Sequence, residues 1–271
     1  MMRKELGKQM EYTKIKYSLD SRGIATLTLS DTSTLNSMDT TMFEEGVDCL
    51  RKIARDEAVR AVVITGDGRA FCAGGSLGEM EKGFGGGHGF YEHMMLANAF
   101  TVELAELPKP VIAKVNGAAV GAGMNAVLAA DIAIASEKAK FSEIFGNIGL
   151  VPDVGGTYLL PRIVGRSKAK ELILTYAMVD AQEALKLGIV SKVVSAEALD
   201  EEVDKLAERI AGGPTFAYAM GKKMINRSFE TDIHTALEME AMAQSLAGTS
   251  EDNKEGIAAF YEKRKAVFKG K

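Results

Sequence analysis

Short, mostly apolar runs at residues 61–65, 111–115 and 131–135 alternate with stretches of helical periodicity, and no other feature of the chain restricts its fold as tightly. A strand that is apolar on both faces has to be covered on both, which a parallel sheet achieves with helical crossovers. Such crossovers are right-handed, so the chain is expected to wind in one sense. Ahead of this pattern, residues 15–19 and 24–29 alternate apolar and polar side chains across Asp20, Ser21, Arg22 and Gly23, which predicts an antiparallel hairpin. Residues 39–54 place Met42, Phe43, Val47, Leu50 and Ile53 at helical spacing behind Asp39, an N-cap candidate. A helix over residues 93–107 is expected to stop at Pro108 and Pro110, and a short apolar helix covers 121–130.

The character changes at Arg166. Helical patterns then cover residues 168–174, 181–187, 196–210, 214–228, 233–246 and 253–268, and only 189–194 resembles a strand. The reading is an α/β core over residues 1–200 followed by a helical region over 201–271. The glycine-rich run at 83–89 is expected to be a mobile loop.

Charge and cysteine usage exclude several function classes. Lys and Arg number 33 against 37 Asp and Glu, so the basic excess that binds a phosphate backbone is missing and nucleic acid is not the expected partner. With only Cys49 and Cys72, no disulfide framework exists, which fits a reducing compartment. Residues 1–11 carry charges throughout and lack the apolar centre of a signal peptide, and no apolar run approaches the ~18 residues of a membrane span. A soluble cytoplasmic protein is expected, with no membrane partner. His88 and His93 are five residues apart, a poor helical spacing for a metal pair, and no Cys/His cluster supports zinc, so no metal is expected.

Two glycine-rich segments carry the chemistry: residues 71–77, Phe-Cys-Ala-Gly-Gly-Ser-Leu, and residues 116–125, Asn-Gly-Ala-Ala-Val-Gly-Ala-Gly-Met-Asn. Where a chain turns into a helix, the first N–H groups lack internal partners and the dipole favours negative charge. Two such turns can aim donors at one developing oxyanion. The plainer reading is that these glycines only make turns or permit close packing. Gly121, Gly123 and Ala126, with Glu143 about 20 residues on, also satisfy the dinucleotide fingerprint. Five residues separate them from the preceding strand, however, and no nicotinamide or flavin is expected.

Taken in order, several segments resemble the crotonase, or enoyl-CoA hydratase/isomerase, superfamily. They are Leu35-Asn36-Ser37-Met38, residues 61–66, residues 71–77, Pro108-Lys109-Pro110-Val111-Ile112-Ala113, residues 116–123, Ala130-Asp131-Ile132-Ala133, residues 149–156 and Leu160-Pro161-Arg162-Ile163-Val164-Gly165. The resemblance implies a spiral ββα core, a helical C-terminal region that builds a homotrimer or a dimer of trimers, and an acyl-CoA thioester as substrate without a separate cofactor. It assigns the oxyanion-binding N–H groups to Gly75 and Ala122. Asn36, Ser37, Met38 and the backbone of Ala73 are then expected to line the adenine and pantetheine path. Gly74, Ser76, Leu77, Val120, Gly121, Asn125, Phe145 and Pro152 complete the expected substrate contacts.

The two glutamates that hold water in the hydratases of this family fall on Asn125 and Phe145, which neither accept a proton nor activate water. Asp153 follows Val151-Pro152 and precedes Val154-Gly155-Gly156, where its position suits a helix N-cap. The resemblance assigns it the proton transfer instead. Glu143 is read as a surface or structural residue. Phe84, Phe90 and Tyr91 are candidates for shaping an acyl pocket, and Lys263, Arg264 and Lys265 for meeting phosphates, although packing and a solvated helix face explain them equally. The resulting expectation is an enoyl-CoA isomerase. The alternatives are a hydratase using Asp153 or Glu143, and a non-catalytic acyl-CoA-binding protein.

Overall fold

The computed structural model describes residues 12–271; the charged stretch at 1–11, read above for targeting signals, lies outside them. The hairpin forms as expected, β1 (Ile15–Leu19) pairing antiparallel with β2 (Ile24–Leu29). Helix α1 (Thr40–Arg55) follows, capped by Asp39, whose Oδ1 accepts from Met42 N at 2.8 Å, and its buried face contains the five apolar residues that the spacing singled out.

Three turns of a spiral come next, each giving one strand to each of two sheets. The first has β3 (Ala61–Gly66), β4 (Ala70–Cys72), α2 (Leu77–Lys82) and α3 (Gly87–Ala105); the second has β5 (Val111–Val115), β6 (Ala118–Val120) and α4 (Ala122–Ala129). The third has β7 (Ile132–Ser136), β8 (Lys140–Ser142), a 3-10 turn at Ile144–Ile148 and α5 (Gly156–Val164). The larger sheet runs β1-β2-β3-β5-β7 and closes on a later strand, parallel from β2 onward; Val62 pairs with Val111 and Ile112 with Ile132. In the smaller sheet β4, β6 and β8 are parallel. This is the ββα spiral that the resemblance implied.

The chain continues through α6 (Arg166–Thr175), β9 (Val179–Asp180), α7 (Ala181–Lys186), β10 (Lys192–Val194), α8 (Leu199–Ala211), α9 (Thr215–Asn226), α10 (Ile233–Thr249) and α11 (Glu251–Glu262). Strand β9 pairs antiparallel with β8 at the edge of the smaller sheet, and β10 lies parallel to β7 as the last strand of the larger one. The core has two parts. One lies between the sheets and the inner helices; the other is where Leu199, Val203, Ala207 and Ile210 of α8 cover Ala61, Val63, Ile112 and Ile134.

Three expectations are corrected. Residue 200, the expected boundary, lies within α8, whose apolar face covers the larger sheet. Helix α3 starts at Gly87 rather than 93 and takes in residues 87–89, three of the seven in the expected mobile loop. A Cβ at Gly89 would lie 1.8 Å from the Phe84 carbonyl oxygen, so glycine there lets the helix start against the turn. The last strand shortens to β10. The last helix ends at Glu262 rather than 268, because Asp252 draws the tail back by accepting from Lys269 N at 2.6 Å and Gly270 N at 2.8 Å.

Candidate active site

Strands β4 and β6 are parallel neighbours, so the glycine-rich turns that leave them start side by side. Gly74 and Gly121 both have positive φ, 97° and 54°, which any side chain would strain. The turns touch: a Cβ at Gly121 would sit 3.7 Å from Gly74 Cα and 3.5 Å from Cζ of Phe145, whose ring closes one side. Met38 N donates to Gly74 O and Ser76 N donates to Met38 O, the pattern of a parallel bridge. In that pattern the N–H of Gly75 points away from the bridge. Ala122 is the first residue of α4, so its N–H has no acceptor within the helix. Two such donors on adjoining turns can hold a developing negative charge.

A second group of residues gathers beside α4. Asn125 is fully buried, and its Nδ2 donates to the Asp153 carbonyl at 2.8 Å. Thr101 of α3 donates to the next carbonyl, that of Val154, so two helices pin the loop that carries Asp153. The cap of α5 is Gly155 and no side chain bonds to its first turn, which overturns the N-cap reading of Asp153. The Asp153 carboxyl is instead turned inward, with Oδ1 buried and unpartnered among the described residues. Burial pushes it up to about 6. Glu143, read from the sequence as a surface or structural group, is fully buried at the end of β8, and burial together with the Asp153 charge pushes it up to about 8, against the opposing effect of the Asn125 amide. Gly156 makes room for the group: a Cβ there would lie 2.7 Å from Asn125 Nδ2, 2.9 Å from its Oδ1 and 3.0 Å from Glu143 Oε1.

The sequence profile of the enoyl-CoA hydratase/isomerase family matches residues 20–271. The chain belongs to the enoyl-CoA hydratase/isomerase family. It is 39% identical over 258 residues to a 1,2-epoxyphenylacetyl-CoA isomerase of Escherichia coli, covering 92% of this chain and 96% of that protein. It is 37% identical to a short-chain-enoyl-CoA hydratase of Clostridium acetobutylicum, covering 89% and 92% of the two chains. The crystal structure of an enoyl-CoA hydratase from Bacillus anthracis superposes with a TM-score of 0.91 at 33% identity, covering 96% of this chain and all of that one.

Around the two turns of this family member, the other expected contact residues divide by exposure. Leu77 is 61% exposed, Ser37, Ala73, Ser76 and Pro152 are half-buried, and Val120 and Phe145 form buried apolar wall. The side chains of Asn36 and Met38, expected on the ligand path, are fully buried. Asn36 Nδ2 donates to the carbonyls of Asp67 and Ala70, and Oδ1 accepts from Asp31 N, so this amide is spent on bracing the first turn. Phe84 stacks on His93 at 4.3 Å and Tyr91 is exposed, while Arg264 is held by Glu255 and Glu262.

Sequence reasoning undervalued Glu143. Its one signal was position, two residues from a family glutamate site that is here Phe145.

Proposed function

We propose that this chain is an enoyl-CoA isomerase that moves a double bond along an acyl-CoA thioester. One observation carries the reading: a carboxyl at Asp153 turned inward and not used as a cap, in a site where the resemblance finds Asn125 and Phe145 in place of the hydratase glutamates. The N–H groups of Gly75 and Ala122 donate to the thioester oxygen. The carboxylate of Asp153 takes a proton from the carbon next to the carbonyl, and the bonding pair left behind delocalises onto the oxygen held by those donors. The enolate collapses by taking the proton back two carbons further along, so the double bond shifts and the electron count is unchanged. The reaction is redox-neutral and the thioester is substrate, so no further cofactor enters. The name of the E. coli relative, a 1,2-epoxyphenylacetyl-CoA isomerase, supports an isomerisation on a CoA thioester.

Water addition is a second reading, favoured by the buried carboxyl of Glu143 beside Asn125 and by the hydratase activity named for the Clostridium relative. One assay separates them. A panel of 3-enoyl-CoA and 2-enoyl-CoA thioesters in deuterated water, followed by mass spectrometry, should show double-bond migration with isotope uptake and no added water. Asp153→Asn should abolish that exchange. Unchanged exchange in this variant rejects the shuttle, added water selects the hydratase, and binding without exchange selects a non-catalytic role.

A further inference from the structure

The buried carboxylates of this protein are otherwise well supplied with donors. Glu45, 4% exposed, accepts from Thr13 N, Thr13 Oγ1, Lys14 N and Ile15 N, and Asp252, 5% exposed, accepts from Lys269 N and Gly270 N. Glu143, 0% exposed, has neither oxygen in hydrogen-bonding geometry with a donor, and the Asn125 amide beside it offsets the burial only in part. Among the described residues, four of the five buried side-chain polar atoms without a partner belong to one cluster: Asn125 Oδ1, Glu143 Oε1, Glu143 Oε2 and Asp153 Oδ1. All four are acceptors, and acceptors cannot satisfy one another. A proton on one carboxyl turns an acceptor into a donor, and buried polar groups left unmatched are otherwise destabilising.

We propose that Glu143 is a positioning residue that works as a neutral acid: its O–H donates to Asn125 Oδ1, and Asn125 Nδ2 in turn holds the Asp153 carbonyl, so that Glu143 sets the aim of the neighbouring carboxylate. Asn125 is the joint of this chain: its Nδ2 is fixed on the Asp153 carbonyl at 2.8 Å, and its Oδ1 at 2.9 Å and Glu143 Oε1 at 3.0 Å both border the position a Cβ would take at Gly156. Two carboxyls sharing such a site hold one proton between them over a range of pH, because burial and mutual repulsion oppose a second charge. The charged group that bears on Glu143 is Asp153, from the loop before α5. Helix α4 contributes the neutral Asn125. On α5, Arg162 is engaged outside with Glu230, α6 presents Arg166, Lys168, Lys170 and Glu171 toward the surface, and the Tyr176 ring lies against Gly146 of the intervening turn. None of these replaces the missing donor.

The kinetic part of the test rests on the isomerase reading; a spectroscopic part does not. For the full-length protein acting on a 3-enoyl-CoA, kcat should fall on the alkaline side as Glu143 loses its proton near about 8. Glu143→Ala should lower kcat about tenfold at neutral pH with KM unchanged, the loss of roughly one hydrogen bond. Glu143→Gln, which keeps a neutral donor, should restore most of that loss and remove the alkaline limb. An alkaline limb that persists in Glu143→Gln, or Glu143→Ala at wild-type kcat, overturns the proposal. Independently of turnover, the infrared carbonyl band of a protonated carboxylic acid should be present in the wild type at neutral pH and missing in Glu143→Gln. Its absence from the wild type overturns the proposal even if Glu143→Ala fails to fold. A wild type that shows the band without isomerase turnover rejects the reaction reading and leaves Glu143 as assigned.

Discussion

Asp153 must be unprotonated to accept a proton from carbon, so isomerase kcat/KM should fall below about pH 6, where burial has placed its titration. A pH–rate profile flat through that region would remove Asp153 from the reaction. The raised carboxyls also bear on stability. Asp153 and Glu143 bind protons more tightly folded than unfolded, so the native state holds the excess protons and stability falls as pH rises from about 4 to about 8. Glu143→Gln removes one share of that loss, and its Tm advantage over the wild type should grow across this window; a pH-independent difference would contradict the neutral acid. Ala122→Pro tests the other half of the site. The first helical position tolerates proline because no helix carbonyl accepts from its N–H, so the fold should survive while loss of the donor to the thioester oxygen lowers kcat about 10²–10³-fold. Gly156→Ala, with a Cβ 2.7 Å from Asn125 Nδ2, should lower stability by about 1–3 kcal/mol in denaturant unfolding.

Helix α1 was readable because its cap and its five core positions all lie within one stretch of chain, and a 3.6-residue period records them directly. The start of α3 was not, since it depends on Gly89 fitting under Phe84, a contact that only the folded turn creates. Helix α9 is held to the spiral by particular bonds more than by burial. Lys222 Nζ donates to Asp131 Oδ2 at 2.9 Å, the same oxygen that accepts from Val111 N at 2.7 Å, and Asn226 Nδ2 donates to the Ala105 carbonyl. Burial raises Asp131 and lowers Lys222, so each relies on the other to stay charged. Lys222→Ala should therefore destabilise the protein by about 3 kcal/mol, the lower end for a broken buried pair because Asp131 keeps the Val111 N–H. An unchanged unfolding midpoint would show that α9 docks by other means.

Over the whole molecule, α9 to α11 leave many large apolar side chains in water: Ile225 is 71% exposed, Phe229 74%, Phe260 80% and Tyr261 79%. A cleft of about 1100 Å³ lies between α9 and the α3–α5 side of the spiral, with Ile225 and Phe229 on its lining. An apolar surface of this extent is characteristic of a face covered by another chain. The homotrimer or dimer of trimers that the resemblance implies would cover such a face, and light scattering coupled to size exclusion should then give three or six times the 29.0 kDa chain mass. A monomer at micromolar concentration would rule that out.

By itself the sequence determined the hairpin, the winding of strands and helices and the two glycine turns, because each is written in local periodicity or in a residue with unusual backbone freedom. The ordered series of motifs also sufficed to place the chain in its superfamily. Only the tertiary structure decided that Glu143 is interior, that Asp153 caps no helix and that the Asn36 amide is consumed by backbone carbonyls. The reason is physical: desolvation and hydrogen-bond pairing are set by residues some 20 to 35 positions apart that the spiral brings together, and no periodicity along the chain records which polar group will be left without a donor.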